Sequence, residues 1–374
     1  MRASLVLTAA LVVTAAAPAH AAGFTVTALA MQNNWVHAEP QDVSDNGFVL
    51  GRIREYRGTE KVVRWAPDGT FADLGEGSPV AVNESGEAVG LRRNELHEYT
   101  AVRWSPDGTR ADLPTWPGVR RSEVRDVDNS GTAVGRVSTG FGEYHAVRWE
   151  RDGTYTKLAP LPGATGAGAQ KIAEDGTVIG TSTVNDKPRA VKWDRRGNVT
   201  ELGVLPGDEW SDPHGINAAG TVVGYSSPAS AVRWTRWGRA IELRNLPGDH
   251  QSSAHAINDR GFVVGLGDRT GGDTHVVRWD PFGRPTELKP LPGDDDSYGT
   301  GLTNRGEVAG LSSKNGSYSN GRAVLWDRGG NATELPALPD AVRTSALRIT
   351  RDGSIFGSSS PQGSFGRVVV WRRA

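Results

Sequence analysis

The tripeptide Val-x-Trp occurs eight times along the chain, ending at Trp65, Trp104, Trp149, Trp193, Trp234, Trp279, Trp326 and Trp371. Interleaved with it is Gly-x-x-x-Gly, whose second glycine falls at Gly51, Gly90, Gly135, Gly180, Gly224, Gly265, Gly310 and Gly357. Each Trp precedes the next such glycine by 31 positions in six of seven cases, and Trp65 precedes Gly90 by 25. A period of roughly 45 residues marks a repeat architecture in which each unit buries its faces against its neighbours. Ala256-Ile257-Asn258, a turn at Asp259-Arg260-Gly261, and Phe262-Val263-Val264-Gly265 read as one hairpin. Val276-Val277-Arg278-Trp279, a turn at Pro281-Phe282-Gly283, and Thr286-Glu287-Leu288 read as the next. Four short strands per repeat with glycine-bearing turns is the pattern of a propeller blade. The expected fold is therefore all-β, an eight-bladed β-propeller with four antiparallel strands per blade.

The chain ends test that expectation. The last repeat stops at Ala374 without a fourth strand, and Phe24-Thr25-Val26-Thr27-Ala28-Leu29 is an orphan strand near the start. Counting on from Trp371 through Ala374 and continuing at Phe24 puts Leu29 at the ninth position, where Leu158 stands after Trp149. The N-terminal strand is expected to complete the last blade, since ring closure removes exposed strand edges. A four-residue loop at Pro67–Thr70 would set Trp65 opposite Ala72 and Arg64 opposite Asp73. The same count pairs Arg103 with Asp112, Lys192 with Glu201, Arg233 with Glu242, Arg278 with Glu287 and, across the termini, Val370 with Ala28. Opposite charges placed this way help to fix register.

Ile216-Asn217-x-x-Gly220-Thr221-Val222-Val223-Gly224 and His145-Ala146-Val147-Arg148-Trp149 resemble the two halves of the HAF-type extracellular repeat of bacterial secreted proteins. Val147 stands where that family has Phe, and His275 is the other histidine at the His145 position. The resemblance spans nearly the whole chain after residue 21. It implies an extracellular repeat protein and brings no chemistry with it. The N-terminus agrees: Arg2, an apolar run from Leu5 to Ala17, and Ala19-His20-Ala21 read as a signal peptide over 1–21, leaving one domain over 22–374. The run is too short to span a bilayer, no later segment approaches the length needed, and no cysteine offers a lipid anchor. A secreted monomer without a membrane span is expected.

Composition narrows the function. With no cysteine, a hydrophobic core rather than disulfides must hold the fold in an oxidising compartment. The whole chain has 42 basic and 43 acidic side chains, without charge blocks, so nucleic acid is not an expected partner. There is no His-Glu-x-x-His zinc motif and no Gly-x-Ser-x-Gly elbow.

What remains is binding. The recurrent Trp residues read as packing between blades. Trp35, Trp116 and Trp210 are demanded by no repeat and fall in segments entering a blade, on the face where loop length varies most. With Tyr298 they are the candidate ligand contacts, because an exposed Trp is costly unless it meets a partner. Asp294, Asp295 and Asp296 form the one dense acidic cluster and are the candidate ligands for Ca²⁺, the only cofactor the sequence suggests. The reading is a non-enzymatic binding or scaffolding propeller for an extracellular glycan, cell-wall polymer or protein. The alternative is a polysaccharide-acting enzyme with carboxylates from several blades converging at the channel mouth.

Overall fold

A computed structural model describes residues 14–15, 23–32, 34–140, 142–227, 230–269, 274–361 and 366–374. The leader expected over 1–21 lies outside these, apart from Thr14–Ala15, which pair antiparallel with Val26 and Thr27. There is no helix among the described residues. The strands form eight antiparallel sheets arranged as the blades of a propeller. Blade 1 runs Trp35–Val43, Val49–Glu55, Glu60–Trp65, Phe71–Glu76. The first strands of blades 2 to 8 are Ser78–Val82, Arg121–Val127, Gly166–Ile172, Ser211–Ile216, Asp249–Ile257, Asp296–Leu302 and Ala341–Ile349. Each first strand touches the next, and that of blade 8 touches that of blade 1, so they form the inner ring around a channel. Phe24–Ala28 pairs with Arg367–Arg373 and supplies the fourth strand of blade 8.

The repeated residues are there for identifiable reasons. Every first strand carries an irregularity opposite the second glycine of the Gly-x-x-x-Gly signature, as between Pro213 and Gly215 opposite Gly224. The bulge presses a carbonyl against the second strand. A Cβ on Gly224 would lie 2.0 Å from the Asp212 carbonyl oxygen, and one on Gly265 1.9 Å from that of Ser253. The Asn of Ile-Asn-x-x-Gly serves two blades. Asn258 Oδ1 accepts from the amides of Arg260 and Phe262 in its own turn, while its Nδ2 donates to the Thr303 carbonyl of the next blade. Asn217 and Asn83 repeat that reach to Asn258 and Asp128.

All eight repeat tryptophans are buried. Each donates its Nε1–H to a main-chain carbonyl at the end of the preceding blade's fourth strand, for example Trp149 to Pro114 and Trp279 to Arg244, both at 2.7 Å. Without that acceptor, burial would strand a polar N–H, a cost of about 1–3 kcal/mol. A Ser or Thr hydroxyl adds a second clip: Ser211, Ser252 and Ser297 each accept an amide from the third strand of the blade before. Among the described residues the blades share no backbone ladder, so these side-chain bonds, the apolar seams and single main-chain bonds such as Gly203 N–H to the Gly238 carbonyl join them.

The expected register is corrected by one residue. Trp65 faces Phe71, Arg64 faces Ala72 and Val63 faces Asp73. Likewise Arg103 faces Ala111, Lys192 faces Thr200, Arg233 faces Ile241, Arg278 faces Thr286 and Val370 faces Thr27. The loop takes three residues, Pro67–Gly69, closed by Ala66 N–H to the Thr70 carbonyl, with Gly69 at φ 86°. That is a type I turn followed by a left-handed glycine, one residue shorter than the count of four. The acids find other bases: Asp73 pairs with Lys61 at 3.1 Å and Glu287 with Arg269 at 2.8 Å. The cation before the repeat Trp of blades 1 to 6 instead crosses the seam. Arg64 donates to the carbonyls of Gly86, Ser105 and Pro106, and Arg278 to those of Gly306, Asp327 and Arg328, all in the following blade.

Candidate functional site

The inner strands carry the departures from eightfold repetition. At the position after the bulge, four blades place charged side chains: Asp42, Asp126, Lys171 and Arg348. Asp42 Oδ2 accepts the Val82 amide at 2.9 Å, and Asp126 Oδ2 that of Ile172 at 3.0 Å. Arg348 lies 3.6 Å from Asp42 and 3.0 Å from Asp45, and Lys171 lies 3.7 Å from Asp126. The Asp126 charge raises the affinity of Lys171 for its proton. Burial pushes the Asp42 carboxyl up, against the pull of Arg348 and Lys171. The two acids and two bases are mutually neutralised. Towards the face bearing the first-to-second-strand turns, the channel widens into a cavity of about 930 Å³, walled by those turns and by Thr300, Arg348 and Arg351.

Towards the blade-entry side of blades 5 and 6, four aromatic rings lie in contact. Trp210, at the entry to blade 5, meets Tyr225 edge to face with centroids 5.0 Å apart. Tyr225 lies 5.4 Å from the His214 ring, and His214 5.6 Å from His255 of blade 6. The four rings form a continuous ladder from the entry rim to the bulge level of the inner strands. His214 Nδ1 sits 3.0 Å from the Ala254 carbonyl, an acceptor only, so this nitrogen carries the proton and Nε2 is the open acceptor. His255 Nε2 contacts Ser253 Oγ at 2.9 Å. Burial, with the neighbouring His214, lowers the His255 pKa to about 4. Burial and then the Asp212 charge raise that of Tyr225. Beside the ladder, Gln170 Nε2 donates to Asp212 Oδ1 at 2.8 Å. Ring faces beside an amide and a carboxylate suit a ligand with apolar C–H faces and hydroxyls.

Of the residues expected to bind, the structure brings only Trp210 into this ladder. Trp35 is buried, 6.4 Å from Trp65 and 4.9 Å from Phe71, in the seam between blades 8 and 1. It is a core residue because its ring fills the gap above the repeat Trp. Trp116 is half-buried against His145 at 5.9 Å and Tyr155 at 5.7 Å, with the Lys157 ammonium 4.1 Å from its ring centroid. Tyr298 is half-buried in the first strand of blade 7, opposite Leu311.

The three aspartates do not converge. Asp294 accepts from Ser312 and Arg322, Asp295 from the Asn315 amide, and Asp296 from the Gly316 and Thr274 amides. No group of three or more His, Cys, Asp or Glu positioned to hold a metal occurs among the described residues.

Sequence reasoning passed over His214 with Tyr225, and also Trp237, which is 76% exposed, as is Phe282 at 77% in the equivalent turn of the next blade. His214 was legible only as a histidine at the bulge position one repeat before His255. Trp237 sits in a turn of constant length, so loop variation gave no signal.

No family model matches the chain, and neither does any curated protein. Among solved structures, a prolyl endopeptidase is similar with a TM-score of 0.52 at 10% identity, over 85% of this chain and 55% of that one. A puromycin hydrolase gives 0.51 at 18%, over 80% and 53%. A streptogramin B lyase gives 0.47 at 12%, over 96% and 100%. The chain spans about half the length of the endopeptidase and hydrolase chains it matches. At such identities the likeness concerns the propeller fold.

Proposed function

We propose that the protein is a secreted, non-enzymatic binding propeller that holds an extracellular glycan at the blade-entry mouth of its channel. The observation that carries this reading is the ladder of Trp210, Tyr225, His214 and His255 with the Gln170–Asp212 pair beside it. Nothing in the repeat requires these residues, and together they offer partly buried stacking faces and hydrogen-bonding groups. The HAF-like repeats and the leader-like N-terminus support an extracellular setting, in which cell-wall and other polysaccharides are the abundant ligands of this chemistry. The test is retention of residues 22–374 on insoluble polysaccharides and isolated cell wall. Retention should fall roughly tenfold in Trp210→Ala and Tyr225→Ala, the scale of losing one aromatic anchor. Retention unchanged in both variants, or absent from every polymer, overturns the reading. Release of soluble sugar during retention replaces it with a polysaccharide-acting enzyme.

A further inference from the structure

The seam between blades 8 and 1 lacks a part that the other complete seams possess. In blades 1 to 6 the residue before the repeat Trp is Arg or Lys, and its cationic head reaches the following blade. The carbonyl two residues after that blade's own Trp is capped in five of these seams: Pro106 by Arg64, Arg195 by Arg148, Arg236 by Lys192, Pro281 by Arg233 and Arg328 by Arg278. The carbonyl of the turn glycine is capped in three, Gly86 by Arg64, Gly131 by Arg103 and Gly306 by Arg278. Blade 7 has Leu325 at this position, where the following blade is closed by the chain's two ends and has no third-to-fourth-strand turn to cap. Blade 8 has Val370, facing blade 1, which does have that turn.

The carbonyls equivalent to the capped ones are Gly47, Ala66 and Pro67. Among the described residues, those of Gly47 and Pro67 accept no hydrogen bond, and that of Ala66 accepts only the Gly69 amide of its own turn. In their place there is a cavity of about 510 Å³, lined by Gly47, Ala66, Pro67, Phe356 and Val370. Its rim carries Asp45, Asp68 and Asp352 together with Arg351 and Arg372, and Arg348 holds Asp45 at 3.0 Å. Neither arginine donates to the three carbonyls: Arg351 is turned to Glu84 and Asp45. Phe356 adds an aromatic ring, as Phe262 does under Arg278 at 6.0 Å. Carbonyl oxygens beside an aromatic ring are the surroundings this fold gives to the guanidinium groups of Arg64 and Arg278.

We propose that the cavity at the closure seam is a receptor for an arginine side chain presented by a partner polypeptide. The incoming guanidinium takes the place that Val370 leaves vacant and donates to the Gly47, Ala66 and Pro67 carbonyls. The site stands on the turn face, opposite the entry-side ladder, and does not depend on the glycan reading. The experiment titrates N-acetyl-arginine amide and its neutral isostere, N-acetyl-citrulline amide, into residues 22–374, followed by calorimetry and by NMR. Saturable millimolar binding of the arginine compound is expected, with the citrulline compound at least roughly tenfold weaker. Val370→Arg installs the chain's own guanidinium, and should abolish that binding while raising Tm. Equal binding of the two compounds, or no saturation by either, overturns the proposal without reference to any variant. Binding that survives in a folded Val370→Arg protein overturns it as well.

Discussion

At His255 the imidazole stays neutral well below the pH at which a free histidine gains its proton, with a pKa near 4 against an ordinary value of 6.5. The unfolded chain takes up this proton between those two values and the folded chain does not. Stability from this residue is therefore fully present above pH 6.5 and is lost as pH falls towards 4. Urea unfolding followed across that window should show a falling midpoint, and His255→Gln should flatten the slope. An unaltered slope in the variant would place the acid sensitivity elsewhere. Legibility at this scale was uneven. The eight repeat tryptophans announced their burial through recurrence, whereas Trp35, a lone Trp in an entry segment, gave no sign of the contact with Trp65 and Phe71 that buries it. A non-repeating residue carries no periodicity, and burial by tertiary contact leaves no trace in its near neighbours.

At the scale of the element, the cation before each Trp shows how a one-residue miscount misassigns a function. Opposite charge across two strands suggested a pair within the blade. The shorter loop sets Glu287 opposite Val277 instead, and Arg278, directed at the next blade, satisfies three carbonyls there. Removing it leaves buried acceptors unpaired, so Arg278→Ala should cost about 2–3 kcal/mol in equilibrium unfolding. Glu287→Gln, opposite Val277 rather than Arg278, should cost well under half of that. Comparable losses in the two variants would restore the within-blade pairing. Strand order and the glycine positions were legible because a bulge and a left-handed turn each admit few residues. The loop length was not, since a turn glycine fits both a three-residue and a four-residue count.

For the whole molecule, the pairing of Phe24–Ala28 with Arg367–Arg373 turns a row of blades into a ring, and it was readable from the spacing of Leu29 alone. Deleting residues 23–29 should leave the hydrogen-bonding edge of Arg367–Arg373 open. The expected result is a lower Tm and concentration-dependent association, read by calorimetry and light scattering. A truncated chain that melts as the full one does would mean that the inner ring alone holds the assembly.

That same clasp sets an order of events for the living cell. Phe24 emerges from the ribosome long before its partner Arg373, and every other blade has its four strands in hand before this one does. For most of synthesis one edge of Phe24–Ala28 waits for the strand that is made last. A chain built this way gains from delayed folding, because the segment made first is the last to find its place.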